Sequence, residues 1–358
     1  MRIGIIGAGQ LGQMLGFAAR DLGMDCTFVD PSPNPPAGAC GQVIQTPFDD
    51  HDALSTLAAD CDIVTYEFEN VPVEALERIS GQVPVYPPPD ALRQAQDRLA
   101  EKRLFESLGI SLPAYHAVDS IDDLENAAKA IGLPLVLKTR RLGYDGKGQF
   151  VVSNQADLET AWRQLGEGGL IAEEWVNFDF EVSSIGARNA TGDIITYPLT
   201  HNEHVDGILR VSRAPVDDET LTRHAEQAMT ALLTSLDYVG VLTLELFVVG
   251  DQLLANEFAP RVHNSGHWTI EGAVPSQFTS HLIAISNGRL DAPQLRGYAG
   301  MLNLIGEIPA DTRNFPNSHL HDYGKDARPG RKLGHITVIA DSATERDRLL
   351  AEIGKTVT

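Results

Sequence analysis

Short apolar runs alternate with stretches of helical spacing over the first ninety residues. RIGII reads as a strand and GAGQLG as a turn, and Leu11, Leu15, Ala18, Ala19 and Leu22 fall at the spacing of one helix face. CTFVD predicts a second strand ending at Asp30. CDIVTYEF (61–68) predicts a third, followed by a helix over PVEALERI, and VPVY (83–86) predicts a fourth. Strands alternating with helices imply a parallel sheet covered on its faces, so residues 1–90 read as a Rossmann-like domain. A proline cluster then leads into PPPDALRQAQDRLAEKRLFESLG, which predicts one long helix and makes 91–112 a connector.

The pattern then changes. LPAYHAV, a helix over 121–131, LPLVLKTR, a Gly-rich loop, QFVV, a helix over 155–165 and LIAEEWV make a compact α+β unit at 113–172, small enough to act as a lid. EVSSIGAR, a long polar loop, a helix over 218–235, VGVLTLELFVV and QLLANEFA fill 173–298. The tail, 299–358, reads as strands, a Gly/Arg-rich loop and a last helix. The fold class is therefore mixed α/β and α+β.

Composition narrows the function. The 358 residues are 43% hydrophobic and 22% charged, so the chain can build several cores. Its 28 basic and 49 acidic residues give a net charge of −21, which argues against nucleic acid and anionic membranes as partners. No apolar run is long enough to span a bilayer. The start does not read as a secretion signal, and Cys26, Cys40 and Cys61 lack metal-type spacing. Both features fit a cytoplasmic protein with reduced thiols. The charge is also uneven. Residues 1–90 hold three basic side chains, Arg2, Arg20 and Arg78, against thirteen acidic ones. An anion docked there needs backbone N–H groups or cations from elsewhere in the chain.

Four groups of residues carry candidate chemistry. Gly7, Gly9 and Gly12 match a phosphate-binding turn at a helix start, with Asp30 closing the next strand as in a dinucleotide site; the plainer reading is a tight strand-to-helix turn. Lys138 ends an apolar strand before Gly143-Tyr144-Asp145-Gly146-Lys147-Gly148-Gln149, a loop able to close over phosphates. Glu173, Glu174, Trp175 and Val176 follow at another strand end, placed to meet an adenine and a ribose. Glu245 and Glu257 interrupt two apolar strands joined at Gly250-Asp251 and suit Mg2+. Strand alternation puts them on one face only if the turn is odd or a bulge intervenes. Lys325, Arg328, Arg331 and Lys332 crowd one loop. They are the cations that the N-terminal turn at Gln10 lacks, which predicts that this loop folds back onto it.

YEFENV, QDRLAEK, KTRRLGYDGKGQ, YPLTHNEHVDGILR, NEFAPRVHNSGHWT and YGKDARPGRKLGH, in this order, resemble the ATP-grasp superfamily. Within it they resemble the 5-(carboxyamino)imidazole ribonucleotide synthase family of purine biosynthesis, from Arg2 to about residue 353. The resemblance implies an ATP-grasp architecture and an ADP-forming ligase that carboxylates 5-aminoimidazole ribonucleotide with bicarbonate and ATP, as a cytoplasmic homodimer. It implies that Arg98, Lys138, Gly143 to Gln149, Glu173 to Val176, Glu181, His204, Asn256 and Glu257 hold ATP, with Mg2+ on Glu245 and Glu257. Tyr144, Asp145, Lys147, Arg261, His263 and Asn264 would serve carboxylation. Gln10, Leu11, Glu67, Lys325, Arg331 and Lys332 would hold the ribonucleotide. A formate-using ligase acting on glycinamide ribonucleotide and an NAD-dependent dehydrogenase are the alternatives. A non-catalytic ATP sensor fits poorly with both glutamates retained, and a biotin-dependent carboxylase lacks its Met-Lys-Met segment.

Overall fold

The computed structural model describes residues 1–143, 147–166 and 169–357. The N-terminal region is a parallel sheet of four strands, β1 (Arg2–Ile6), β2 (Asp25–Asp30), β3 (Gln42–Gln45) and β4 (Ile63–Tyr66), in the order β3-β2-β1-β4. Helices α1 (Gln10–Asp21), α2 (His51–Asp60) and α3 (Val73–Ile79) accompany it. Parallel strands are covered on both faces, which is why β1 is an unbroken apolar run. Ile3 and Ile5 enter one core with Leu15 of α1, and Ile6 enters another with Leu76 of α3. The fourth strand expected at 83–86 amounts to one bridge, Val64↔Val85, among the described residues. Pro84 and Pro87 have no N–H to extend it. β3 and α2 were not evident in the hydrophobic pattern: β3 has no buried position, and α2 is fixed at its start by Asp50, whose carboxylate accepts from Asp52 N and Ala53 N.

The single helix expected after residue 89 is two, α4 (Pro89–Ala95) and α5 (Arg98–Ser107). Asp97 sits between them in extended backbone and accepts from Leu99 N and Ala100 N at 3.0 and 3.3 Å. A side-chain cap of this kind starts a new helix. The break lets α5 present Arg98, Glu101 and Lys102 to the central sheet.

The lid unit is an antiparallel sheet, β5 (Tyr115–Val118), β6 (Leu135–Thr139), β7 (Gln149–Val152) and β8 (Leu170–Glu174), in the order β5-β8-β6-β7. Helices α6 (Ile121–Ile131) and α7 (Asp157–Leu165) close its core around Leu124, Leu137, Leu158 and Leu170.

The rest is one nine-stranded sheet. Its path runs β14 (Gln252–Ala259), β13 (Gly240–Val249), β9 (Phe180–Arg188), β11 (Thr200–Val205), β12 (Ile208–Ala214), β17 (Tyr298–Ile305), β19 (Lys332–Ala340) and β18 (Ser318–Asp322). β10 (Ile194–Thr196) pairs with β9. The stretch expected as a polar loop is thus three strands, β10 to β12. Some of its buried positions are polar: Asn202 of β11 and Ser212 of β12 are buried and hydrogen-bonded to each other. The strands of the tail continue the same sheet. Helix α8 (Glu219–Ser235) packs under β9, β10 and β14, and α11 (Ala343–Val357) packs under β17 and β19. α9 (Thr269–Gly272), a two-strand ladder of β15 (Ala273–Val274) and β16 (Gln294–Leu295), and α10 (Gln277–Ile285) complete it.

The N-terminal sheet docks through α10. His281 Nδ1 accepts from Val241 N at 3.1 Å, so Nε2 carries the proton and donates to Thr65 Oγ1 at 2.9 Å. Burial holds this histidine neutral, its pKa pushed down to about 4.

Candidate active site

Alternation on β13 sorts its side chains. Leu242, Leu244, Leu246 and Val248 join the core under α8, so Glu245 projects from the other face. On β14, Leu253 and Ala255 face that same core, yet so does Phe258. The change of parity is a β-bulge. Val249 pairs with Gln252 across a two-residue turn, Leu246 pairs with Ala255, and Glu245 pairs with Glu257, leaving Asn256 as the extra residue. The bulge is what puts the two glutamates opposite each other on one face. Ser183 and Glu181 of β9 share that face, and His204 Nδ1 of β11 donates to Glu181 Oε2 at 2.6 Å. Burial works against the charge of His204, but Glu181 raises its pKa above the usual histidine value.

Each glutamate has a basic partner. Arg98 Nη1 donates to Glu257 Oε2 at 2.6 Å, and His263 Nε2 lies 3.1 Å from Glu245 Oε1. Glu245 is half-buried, and the ring of His263 overcomes the burial penalty and holds its carboxyl down at about 2. No group of three or more His, Cys, Asp or Glu poised for a metal gathers among the described residues. Two carboxylates on one face nevertheless supply the hard oxygen donors that Mg2+ takes, with phosphate oxygens and water completing its shell.

The nucleotide side is built at the lid. Lys138, near the end of β6, donates to Glu173 Oε2 of β8 at 3.0 Å, and Lys102 of α5 reaches the same oxygen at 3.3 Å. Burial opposes ionisation of Glu173, yet the two lysines hold its pKa down to about 2. Its Oε2 is thus committed to the two lysines and places Lys138. Glu174 accepts from Ala114 N at 3.2 Å, and Trp175 is 43% exposed beside half-buried Val176. Tyr144, Asp145 and Gly146 lie outside the described residues. The flanks of their loop close on Thr139: a Cβ on Gly148, at φ +72°, would come within 2.7 Å of Thr139 Oγ1. Gly143 lies against Arg98, and Gln149 pairs with Lys138 across β6 and β7.

The loop after β14 carries Arg261, His263 and Asn264. Arg261 pairs with Glu69 and donates to Val262 O at 2.9 Å. His263 Nδ1 meets Ser265 Oγ at 2.9 Å. The amide of Asn264 is held within the protein, donating to Asn303 Oδ1 and His267 Nδ1 at 3.0 Å each, so its side chain orients the loop. His267 in turn meets Tyr323 Oη, which meets His335 Nδ1 at 2.8 Å. His267 closes the polar run from Arg261 that the sequence displays, whereas Glu69, Tyr323 and Asn303 were given no role there, since each becomes polar machinery only through partners far along the chain.

The N-terminal glycine turn is filled from within. Glu67, buried at the end of β4, accepts from Gly9 N at 2.7 Å and Gly12 N at 3.0 Å. Gly7 has a φ of +101°, and a Cβ there would come within 2.6 Å of Glu67 Cγ. Asp30 is turned inward to Ala8 N at 2.9 Å. A carboxylate thus stands where a dinucleotide pyrophosphate would lie, and the carboxylate meant for a ribose is consumed. The NAD-dependent dehydrogenase reading fails on this geometry. Leu11 is in the core, so only its backbone can meet a ligand. Lys325 crosses from the C-terminal loop and donates to Gln10 Oε1. Burial, then Arg331, lowers its pKa to about 8, with Glu67 opposing and Lys332 and Arg328 adding to the repulsion. Arg331 donates to Asp326 O at 3.1 Å, and Lys332 also lies within electrostatic reach of His204 and His267.

Comparison with known proteins agrees with this layout. A ribonucleotide synthetase preATP-grasp domain profile matches residues 1–96, an ATP-grasp domain profile residues 103–278, and a phosphoribosylaminoimidazole carboxylase C-terminal domain profile residues 299–348. The chain is 48% identical over 352 residues to N5-carboxyaminoimidazole ribonucleotide synthase of Pseudomonas aeruginosa, covering 98% of each. It is 44% identical over 351 residues to that of Brucella melitensis, covering 94% of this chain and 96% of the relative. Its fold superposes on the Thermus thermophilus synthetase with a TM-score of 0.95 at 48% identity, over 99% of this chain and 98% of the other. It also superposes on the Aspergillus clavatus synthase in complex with ADP and 5-aminoimidazole ribonucleotide, with a TM-score of 0.92 at 30% identity and the same coverage. With an ATP-grasp core, the matching flanking domains and full-length relatives, the chain belongs to the N5-carboxyaminoimidazole ribonucleotide synthase family.

Proposed function

We propose that this chain carries out its family's reaction with the residues placed above. It is an ATP-dependent, ADP-forming carbon–nitrogen ligase of purine biosynthesis that carboxylates the amine of 5-aminoimidazole ribonucleotide with bicarbonate, through carboxyphosphate. One observation carries the assignment of roles. A row of charged groups runs from Lys325 through Glu67 and Arg261 to Glu245, which His263 also meets and which faces Glu257 across the strand pair, and on through Arg98 to Glu173 and Lys138. It joins the basic loop at Gln10 to the lid, so a ribonucleotide at one end and ATP at the other would have their reacting groups meet between.

ATP would lie between β8 and the lid loop, with Lys138 and Arg98 at its phosphates and Trp175 and Val176 at its base. Glu181 and His204, already paired, suit its ribose. An oxygen of bicarbonate attacks the γ-phosphorus, the bond to the β,γ-bridging oxygen breaks, and ADP leaves. Lys138 offsets charge on the transferred group, which is catalysis by position and electrostatics. Glu245, Glu257 and Asn256 are the groups that would hold Mg2+ with the nucleotide, and the ion would neutralise phosphate charge there. Arg261 is fixed by Glu69 and Val262 O and keeps further N–H donors for bicarbonate oxygens. The amine of the ribonucleotide then attacks the activated carboxyl carbon and phosphate departs. Asp145 is our candidate to take the amine proton, beside Tyr144 and Lys147. The lid must shield the intermediate from water. Lys325, Arg331 and Lys332 would grip the ribonucleotide phosphate against the amides of Gln10 and Leu11.

We place the enzyme in the cytoplasm as a homodimer. Its three cysteines are free thiols, which supports a reducing compartment. No helix of the described residues is long and apolar enough to cross a membrane. The deciding experiment measures ADP release with ATP and labelled bicarbonate, with and without 5-aminoimidazole ribonucleotide. The reading expects label in the ribonucleotide product and ADP formation that depends on it. ADP formation dependent on formate and glycinamide ribonucleotide would overturn it.

A further inference from the structure

Two adjacent charged residues of α5 are buried and have no part in the mechanism above. Lys102 is 0% exposed and Glu101 2%. The ammonium of Lys102 donates to Asn256 O at 2.7 Å and Ala255 O at 3.5 Å, and lies 3.3 Å from Glu173 Oε2. Those contacts use the three donors of an ammonium. Glu101 Oε1 accepts from Phe258 N at 2.7 Å. These backbone groups belong to one short stretch, the β14 bulge around Asn256.

A bulged residue leaves the ladder and its backbone groups need partners from elsewhere. Lys102 supplies them for the carbonyls before and at the bulge, and Glu101 for the amide after it. Without the bulge, strict alternation would turn Glu257 to the face opposite Glu245. Lys102 also shares the Glu173 oxygen with Lys138, so one ammonium ties the bulge to the strand end that carries the lid's lysine. We propose that Lys102 and Glu101 are positioning residues. They hold the bulge that turns Glu257 and Asn256 into the nucleotide and metal site, and they fix that site relative to Lys138.

This inference rests on the nucleotide reading of the site, and its test separates the two. Binding of Mg·ADP and of 5-aminoimidazole ribonucleotide is measured by titration calorimetry on full-length Lys102→Met, which removes the donors and nearly keeps the volume. Mg·ADP should bind at least tenfold more weakly, and the ribonucleotide, held at the far end of the row, should bind within twofold of wild type. Should Lys102→Met not unfold cooperatively, Glu101→Ala is measured in its place, because it frees only the Phe258 amide, and the same split is expected. Unchanged Mg·ADP affinity, or an equal loss for both ligands, would overturn the inference. Lys138→Ala is the control: if it too leaves Mg·ADP affinity unchanged, the nucleotide reading itself is at fault.

Discussion

The two lysines proposed to meet anionic ligands are built differently. Lys138 sits against a carboxylate, Glu173, that is shared with Lys102 and held ionised by both. Lys325 has a neutral partner, Gln10, and its charged neighbours include Arg331, Lys332 and Arg328. The first cation has a carboxylate beside it before a ligand arrives, although burial, Lys102 and Arg98 still lower its pKa. The second is under-compensated, with Glu67 as its opposing charge. A buried charge lacking a counterion is costly unless a ligand supplies one. On the proposed roles, the ribonucleotide's phosphate would supply the charge missing at Gln10, whereas the nucleotide end already holds one carboxylate. Removing a lysine should therefore hurt binding more at Gln10 than at Glu173.

The largest expected effect is at Lys325. Lys325→Met should raise the KM for the ribonucleotide about a hundredfold and leave that for ATP within twofold. Charge-assisted hydrogen bonds are worth ~1.5–3 kcal/mol each, and ~1.4 kcal/mol is tenfold. Arg331→Ala should act in the same direction by about tenfold, since one cation of several is lost. Steady-state kinetics with each substrate varied in turn decides this. If either variant weakens ATP instead, the cross-domain grip is wrong and the contrast with it.

Lys138→Met should raise the KM for ATP about tenfold and lower kcat. The effect is smaller because Lys102 still accompanies Glu173, so no buried carboxylate is left unpaired. Near-normal ATP kinetics would make Lys138 a structural partner of Glu173 and nothing more.

How much of this was legible in the sequence follows from the same contrast. The basic loop at 325–332 and the lysine-poor N-terminal domain are a charge imbalance, which survives in a linear reading, and the structure does bring Lys325 to Gln10. The need for a bulge between Glu245 and Glu257 followed from strand parity, and the register supplies it. Leu253, Ala255 and then Phe258 on the core side even record it as a slip from odd to even positions. The break at Asp97 was not legible, because PPPDALRQAQDRLAEKRLFES keeps good helix formers throughout and one side-chain cap decides the matter. Glu101 and Lys102 read as an exposed helical charge pair and are buried by a strand about 155 residues later, with which they exchange hydrogen bonds. Strand β11 was hidden because its buried positions include Thr200 and Asn202, and the short β10 and the mixed β12 break the alternation that a strand facing one core would show.

A pH profile sharpens the comparison further. The Lys325 pKa, lowered to about 8 by burial and by Arg331, means that this side chain loses its proton within an accessible range. A phosphate dianion binds the protonated form, so binding raises that pKa. kcat/KM for the ribonucleotide should be level below about pH 8 and fall about tenfold per unit above it. The phosphate's second ionisation lies near 6 and adds nothing in that range. The loss should be absent from Lys325→Met, and kcat/KM for ATP at saturating ribonucleotide should not share it. A ribonucleotide profile flat to pH 10 would remove Lys325 from the phosphate site.

The smallest effect is expected at Glu67, and it tests the link between the two halves of the row. Glu67 is buried, its pKa raised chiefly by that burial while the amides of Gly9 and Gly12 oppose the rise. It is also the carboxylate that favours the charged form of Lys325. Glu67→Gln keeps an oxygen for one of the two amides and turns an NH2 toward the other, so some loss of stability should accompany it, read separately by thermal unfolding. What is lost is one negative charge near Lys325, which leaves the ammonium with cations and a neutral amide around it. The break in the ribonucleotide profile should then move to lower pH, with the plateau below it within about threefold of wild type, at most ~0.7 kcal/mol. The direction is the decisive part. If the break stays in place, Glu67 serves only to fill the turn. If it moves upward, the sign of the electrostatics at Gln10 is wrong, and the ligand-completed cation site goes with it.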